Sequence, residues 1–122
     1  MRAGALVCAI LLSVSLEARA QPQFDQGMAA ARRGDYVTAF NLWKPLAEKG
    51  NSNAQNNLGV LYGSGRGVPA DLVQANFWFT LSASAGNGNG ATNRDATSRK
   101  LSAGQRERVE QLLSEWRAAH PR

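Results

Sequence analysis

Two stretches of the chain share one pattern at an offset of 36 residues, and this periodicity constrains the fold more than any other feature. The matching pairs are Asp35 and Asp71, Val37 and Val73, Ala39 and Ala75, Ala47 and Ala83, Gly50 and Gly86, and Asn51 and Asn87. A period of this size is typical of stacked helical hairpins, because each repeat must bury its apolar face against the next one.

The second stretch shows the pattern most completely, and its first half predicts a helix. Ala54, Leu58 and Leu61 have helical spacing and therefore share one face. Gly59 lies on the same helix, although glycine costs about 1 kcal/mol relative to alanine there. We expect that this glycine lets a second helix approach closely. A glycine-rich loop over residues 63–67, followed by a proline, then ends the helix.

The second half of this stretch predicts another helix, so the two halves together form a hairpin. Asp71 is a candidate N-cap, since its carboxylate can accept hydrogen bonds from unpaired backbone N–H groups. Gly86 is a good residue to end the helix. The predicted apolar face comprises Val73 (or Leu72), Ala75, Trp78, Phe79 and Ala83.

The combined pattern resembles a Sel-one-like repeat, a variant of the tetratricopeptide (TPR) helical repeat. The resemblance is carried by Ala54, Leu58, Gly59, Tyr62, Gly65, Arg66, Gly67, Val68, Asp71, Ala75, Trp78, Ala83 and Gly86. One departure is Ser82, where the family usually has alanine. The resemblance implies an all-α fold: a short right-handed α-solenoid of antiparallel helical hairpins, with about two and a half repeats and a C-terminal capping helix.

Residues 21–122 are therefore predicted to form one repeat domain. We place a first repeat at 24–50, a second at 51–86, and a degenerate unit with a capping helix at 87–119. In the third unit Arg94 replaces Leu58 of the second repeat, the Asn-Gly-Asn-Gly run at 87–90 is interpreted as a linker, and a short helix is predicted at 91–100. The last helix has a Ser102–Gln105 capping box and one apolar face, formed by Val109, Leu112, Leu113 and Trp116.

Residues 1–20 have the pattern of a secretory signal peptide. Arg2 precedes an apolar run, and Ala18-Arg19-Ala20 is a small-x-small cleavage site. Cleavage is predicted after Ala20, so the protein is expected to be exported, to the periplasm or beyond. The net charge of +5 would become +4, because Arg2, Arg19 and Glu17 leave. No later segment is long enough to span a bilayer.

The residues give no indication of catalysis, and no cofactor or metal is expected. The single cysteine, Cys8, lies in the predicted signal peptide, so no cysteine remains for a disulfide or a metal site. The single histidine, His120, lies near the terminus and is interpreted as a solvated tail residue. The glycines at 63–67 follow a helix rather than a strand, and we therefore interpret them as a turn rather than a phosphate cradle.

A first candidate binding surface comprises Asn53, Asn56 and Val60, which share a helix face roughly opposite the apolar one. The resemblance implies that the first helix of each repeat lines a concave surface that holds peptides or protein segments. Asparagine amides can pair with an extended backbone, since each amide both donates and accepts hydrogen bonds. The alternative is an ordinary solvated face. A protein or peptide partner is expected, with the chain itself a monomer or weak homo-oligomer.

A second candidate is a basic patch in the last third of the chain: Arg94, Arg99, Lys100, Arg106 and Arg108. It could bind an anionic envelope polymer or a membrane surface. Nucleic acid is not expected as a partner, because export would separate the two. The alternative is that these side chains are the solvated face of the closing helices.

Overall fold

The computed structural model describes residues 19–121, and this part of the chain forms six α-helices and no strand. The helices are α1 (19–32), α2 (Tyr36–Glu48), α3 (Ser52–Ser64), α4 (Leu72–Ser84), α5 (Gly88–Ser98) and α6 (Ala103–Ala119). They form the predicted short α-solenoid, in which α1–α2 and α3–α4 are consecutive hairpins. The predicted signal peptide lies outside the described residues, apart from Arg19 and Ala20, which belong to α1.

A polar side chain caps the start of each helix from α2 to α6. The capping oxygens of Asp35, Asn51, Asp71, Asn87 and Ser102 accept a hydrogen bond from the backbone N–H three residues later, at 3.0–3.2 Å. These bonds satisfy backbone donors that have no partner within the helix. The predicted cap at Asp71 and the predicted capping box at Ser102 are confirmed.

The predicted linker at residues 87–90 is wrong, because α5 begins at Gly88 and ends at Ser98 rather than covering 91–100. Asn87 acts as the N-cap, and Gly90 packs against α4. A Cβ atom on Gly90 would collide with the side chain of Ser82, which is fully buried and donates to the Ser52 carbonyl at 2.8 Å. Glycine in this helix therefore provides close packing between α4 and α5.

Glycines also bring paired helices together within the first two repeats. A Cβ atom on Gly59 would collide with the ring of Phe79, so the predicted close approach of α3 and α4 is confirmed. Gly27 makes an equivalent contact with the ring of Trp43, which joins α1 to α2. Leu58 lies fully buried at the centre of the core.

Helix α4 is buried on more sides than the single apolar face that the sequence predicts. Ala75, Trp78 and Phe79 are buried as expected. Asn76 and Phe77 are buried as well, because α4 packs against α3, α5 and α6 at the same time. A helix with three neighbours needs apolar or hydrogen-bonded residues nearly all round, which a single-face pattern does not capture.

The last helix closes the array as the capping helix that was predicted. Val109 and Leu113 are buried. The Trp116 ring packs edge-on against the rings of Phe77 and Trp78, with centroids 6.0 and 5.7 Å away. His120 is exposed, as predicted, and its ring stacks on Trp116 at 3.7 Å.

Candidate functional site

The first helices of successive units, α1, α3 and α5, have side chains in contact along one side of the array. Asn57 on α3 lies 3.6 Å from the sulfur of Met28 on α1, measured from Nδ2. Asn93 on α5 donates to Asn56 on α3. We call this surface the first-helix face and define it by Met28, Asn53, Asn56, Val60 and Asn93.

Helix α3 lies at the centre of the first-helix face. Its sequence places buried residues on one side of the helix and exposed residues on the other. Ala54, Leu58 and Leu61 are buried against the core. Asn53 and Val60 are exposed, and Asn56 is half-buried. The helix from Ser52 to Ser64 carries no charged residue, so this surface offers amides and an aliphatic side chain.

The two predicted asparagines use their side-chain oxygens to join α3 to α5. Asn53 Oδ1 accepts from Asn87 Nδ2 at 2.9 Å, and Asn56 Oδ1 accepts from Asn93 Nδ2 at 3.0 Å. Within residues 19–121 the Nδ2 groups of Asn53 and Asn56 donate to no other group. The asparagines thus have one structural bond each and keep donors for a ligand.

Val60, the third predicted residue, lies at the rim of a cavity of about 280 Å³ between α1 and α3. Its side chain is 42% exposed, although valine is a large apolar residue. The cavity is lined by apolar and aromatic side chains, two of which (Tyr36 and Trp43) come from α2, by the amide of Asn57 and by two arginines. The principal lining residues are Met28, Ala31, Arg32, Tyr36, Leu61 and Arg66.

Arg66 was not a predicted site residue, and the glycine loop determines its position. Gly65 ends α3 in the left-handed conformation at φ 66°, which confirms that the loop is a turn between repeat helices. Gly67 has φ 75°, and a Cβ there would fall 2.6 Å from the Tyr36 carbonyl carbon. The loop therefore lies against the start of α2, and the Arg66 guanidinium carbon stands 5.2 Å from the Tyr36 ring centroid. The sequence feature that could have indicated this position is an arginine between two glycines of a tight turn.

Two of the five basic residues predicted near the C-terminus share one cavity. Arg99 and Arg106 line one cavity of about 360 Å³ between the end of α5 and α6. Glu110 lines the same cavity, and Arg106 donates to the Ser98 carbonyl at 3.2 Å. The positive charge at this cavity is thus partly balanced by a carboxylate.

The other basic residues do not join that cavity. Arg94 forms a salt bridge with Asp95 at 3.0 Å. Arg108 donates to the side chain of Gln111 at 2.9 Å, and Lys100 is exposed in the α5–α6 turn. Of the five predicted residues, two therefore line this cavity and three do not.

Among residues 19–121, two titratable groups have a pKa shifted from its ordinary value, and both shifts have structural causes. Hydrogen bonds from the side chain and backbone of Thr38 hold the pKa of the Asp35 carboxyl below its usual value. Burial, and then the charge of Asp71, raises the pKa of the Tyr62 phenol. Asp35 is occupied as a helix cap and Tyr62 packs edge-on against Phe40, so both shifts are explained by the fold.

The described residues contain no group of three or more histidine, cysteine or acidic side chains arranged to hold a metal ion. Between residues 19 and 121, none of the helices combines the length and the apolar character that a membrane crossing requires.

Comparison with known proteins supports the repeat architecture. A family model described as the Sel1 repeat matches residues 26–51 and 52–87. A solved structure of a protective antigen present in uropathogenic Escherichia coli strains, displaying an SLR fold, is 33% identical, with a TM-score of 0.70. That similarity covers 79% of this chain and 22% of the antigen.

Two curated relatives match a shorter stretch. DAP3-binding cell death enhancer 1 of Rattus norvegicus and its counterpart in Mus musculus are each 41% identical over 49 residues. The match covers 40% of this chain and spans only 10% of the length of either relative. Sel1 repeats generally mediate protein–protein interaction and are typically non-catalytic. With two matched repeats and the helical array described above, this chain belongs to the Sel1 repeat family.

Proposed function

We propose that the chain is a non-catalytic protein-interaction module, an adaptor or accessory regulator, that works in the bacterial envelope or periplasm. It holds a protein or peptide segment against the first-helix face. The general role of Sel1 repeats supports this proposal, and so does the name of the curated relatives, which states that they bind DAP3.

One observation supports the first-helix face as the binding surface. Val60 exposes 42% of its area on an uncharged helix, directly beside a cavity and next to amides with unused donors. Apolar area combined with a few convergent polar groups is the usual composition of a recognition site. An extended segment could place an apolar side chain near Val60 and its backbone carbonyls near Asn53 and Asn56.

The experiment that tests this surface is affinity capture from envelope extract with Val60→Asp as the bait. Washing at about 1 M salt, where the Debye length is about 3 Å, removes electrostatic contaminants. We expect Val60→Asp to lose the proteins that the native bait retains, because a carboxylate at that point must be desolvated. Val60 is a cleaner probe than Asn56, whose amide also joins α3 to α5.

Val37→Asp is the matched control. Val37 is the other exposed large apolar residue among those described, with 57% of its area exposed, and it does not line the cavity. It should retain every captured protein. Circular dichroism must show equal helix content in all three baits, and Val60→Ser gives a milder second test. Equal capture by both aspartate variants would contradict the assignment of the surface.

Export is a separate part of the proposal, and the pattern of residues 1–20 supports it. Mass spectrometry of protein recovered from the periplasmic fraction should find Gln21 at the N-terminus. An intact Met1–Arg122 chain confined to the cytoplasm would contradict export and leave the interaction surface to be judged by the capture experiment.

A second candidate function is binding of an anionic envelope polymer or membrane surface through the last two helices. The placement of Arg99 and Arg106 at one cavity favours it. Contacts of this kind weaken steeply with salt, whereas a buried apolar interface does not. Capture of acidic polymer alone, lost at high salt and lost with Arg99→Gln/Arg106→Gln, would favour this second function.

A further inference from the structure

We propose that the cavity between α1 and α3 recognises an extended protein segment in which an apolar side chain stands next to a carboxylate. This inference rests on the proposed function and specifies the chemistry of its partner. The cavity offers an apolar floor and two cationic groups at its rim, and each selects one part of such a segment.

The size and lining of the cavity select an apolar side chain. Its volume of about 280 Å³ lies just below the range of small-molecule sites, which span about 300–1,000 Å³. It therefore suits one or two side chains rather than a whole cofactor. Met28, Ala31 and Leu61 contribute aliphatic or thioether surface, and methionine adapts readily to different side-chain shapes.

The arginines at the rim select a carboxylate. Arg32 and Arg66 line the cavity, and within the described chain neither lies within 4.0 Å of an acidic group. The position of Arg66 over the Tyr36 ring reduces the freedom of its guanidinium before a ligand arrives. A guanidinium with free N–H donors binds a carboxylate through two parallel hydrogen bonds, a geometry that lysine cannot offer.

Helix α3 indicates that the bound carboxylate belongs to a polypeptide. Asn53 and Asn56 lie along α3 beyond Val60, with amide donors that can meet successive backbone carbonyls. The complete lack of charge on α3 also fits an extended backbone better than a polyanion. A polyanion would bind best where arginines continue along the surface.

The test is selection from a random 12-residue phage-displayed peptide library on the purified protein, expressed from the full sequence. We expect enriched peptides to contain aspartate or glutamate within two positions of leucine, isoleucine, methionine or phenylalanine. The strongest peptide, fluorescein-labelled, is then titrated by fluorescence anisotropy. Replacing its carboxylate by the amide should weaken binding at least about tenfold, the effect of losing one charge-assisted hydrogen bond.

Variants of the protein complete the test. Arg66→Gln and Arg32→Gln should each weaken binding of the same peptide about tenfold. Arg33→Gln is the matched control, because Arg33 is the neighbouring exposed arginine and does not line the cavity. It should bind the peptide as tightly as the native protein does, which separates the site from the general effect of net charge.

The possible failures are distinguishable. Enriched peptides without acidic residues, lost with Val60→Asp but bound normally by Arg66→Gln, would overturn this inference and leave the proposed function standing. Peptides that bind all variants equally, or no enrichment at all, would overturn both. An equal loss with Arg33→Gln and Arg66→Gln would show attraction by charge alone and would also overturn the inference.

Discussion

The two neighbours of α3 on the first-helix face meet it in different ways. Toward α5, amide pairs close the junction: Asn53 with Asn87 and Asn56 with Asn93, at 2.9 and 3.0 Å. Toward α1, the polar contact is the long one from Asn57 to the Met28 sulfur, and the cavity lies beside it. We call these the closed junction and the open junction.

The difference teaches that one repeat geometry can serve two purposes. At the closed junction hydrogen bonds join the asparagine side chains, and at the adjoining α4–α5 contact a glycine allows the helices to approach. At the open junction apolar surface and arginines remain uncovered, although an equivalent first helix lies on each side. Stacking therefore does not require every junction to be filled, and the unfilled one is available to a partner.

The largest expected effect comes from Gly90→Ala, which disturbs the packing of α5 on α4 beside the closed junction. The new Cβ would collide with Ser82, which is fully buried and bonded to Ser52. We expect destabilisation of about 1–3 kcal/mol, the usual cost of overpacking. Thermal denaturation followed by circular dichroism measures it, since 1 kcal/mol shifts Tm by about 4–8 °C in a domain of this size.

Gly88→Ala is the control for that prediction. A Cβ at Gly88 meets open space in the same helix. The substitution should raise stability by up to about 1 kcal/mol, because alanine favours a helix more than glycine does. If both variants shifted Tm in the same direction, close packing of α4 and α5 would not explain the glycine at position 90.

A smaller effect is expected from the amide pairs. In a double-mutant cycle with Asn56→Ala and Asn93→Ala, we predict a coupling free energy of about 0.5–1.5 kcal/mol. The matching cycle at the open junction, Asn57→Ala with Met28→Leu, should give less than about 0.5 kcal/mol, since a sulfur is a weak acceptor. Urea denaturation measures both cycles. Equal coupling at the two junctions would remove the distinction between them.

The smallest predicted effect concerns pH. Tyr62 packs against Phe40 between the first two repeats, and burial raises the pKa of its phenol. The native state therefore holds this proton more tightly than the unfolded chain does, so stability from Tyr62 is present below about pH 10 and is lost as the pH rises through the folded-state pKa. Urea midpoints measured from pH 9 to above pH 10 should fall less in Tyr62→Phe than in the native protein. Parallel curves would contradict this assignment.

The sequence predicted features that depend on one helix or one turn. Asp71 and Ser102 cap helices as expected, and the glycine at position 59 indicated the approach of α4. Residues 88–90 were misread because glycines that provide tertiary packing look like helix breakers in a linear pattern. Their role is determined by Ser82 on another helix, and propensity alone cannot anticipate such a contact.

The candidate site was predictable to a similar extent. Helical spacing placed Asn53, Asn56 and Val60 on one exposed face. The pairing of Asn56 with Asn93 could not be foreseen, because it depends on how α5 is positioned by packing against α4. Arg66 was missed for the same reason, since its meeting with Tyr36 requires the loop of one repeat to lie against the helix of another.

The central claim, that a partner is held at the open junction, is tested most directly by site-specific photo-crosslinking in the expressing cells. A benzophenone amino acid replaces Val60 in one variant and Val37 in another, so the two probes differ only in surface. We predict that ultraviolet light produces a defined crosslinked species from position 60 and none from position 37. Crosslinking from position 37 alone, or equally from both positions, would contradict the account.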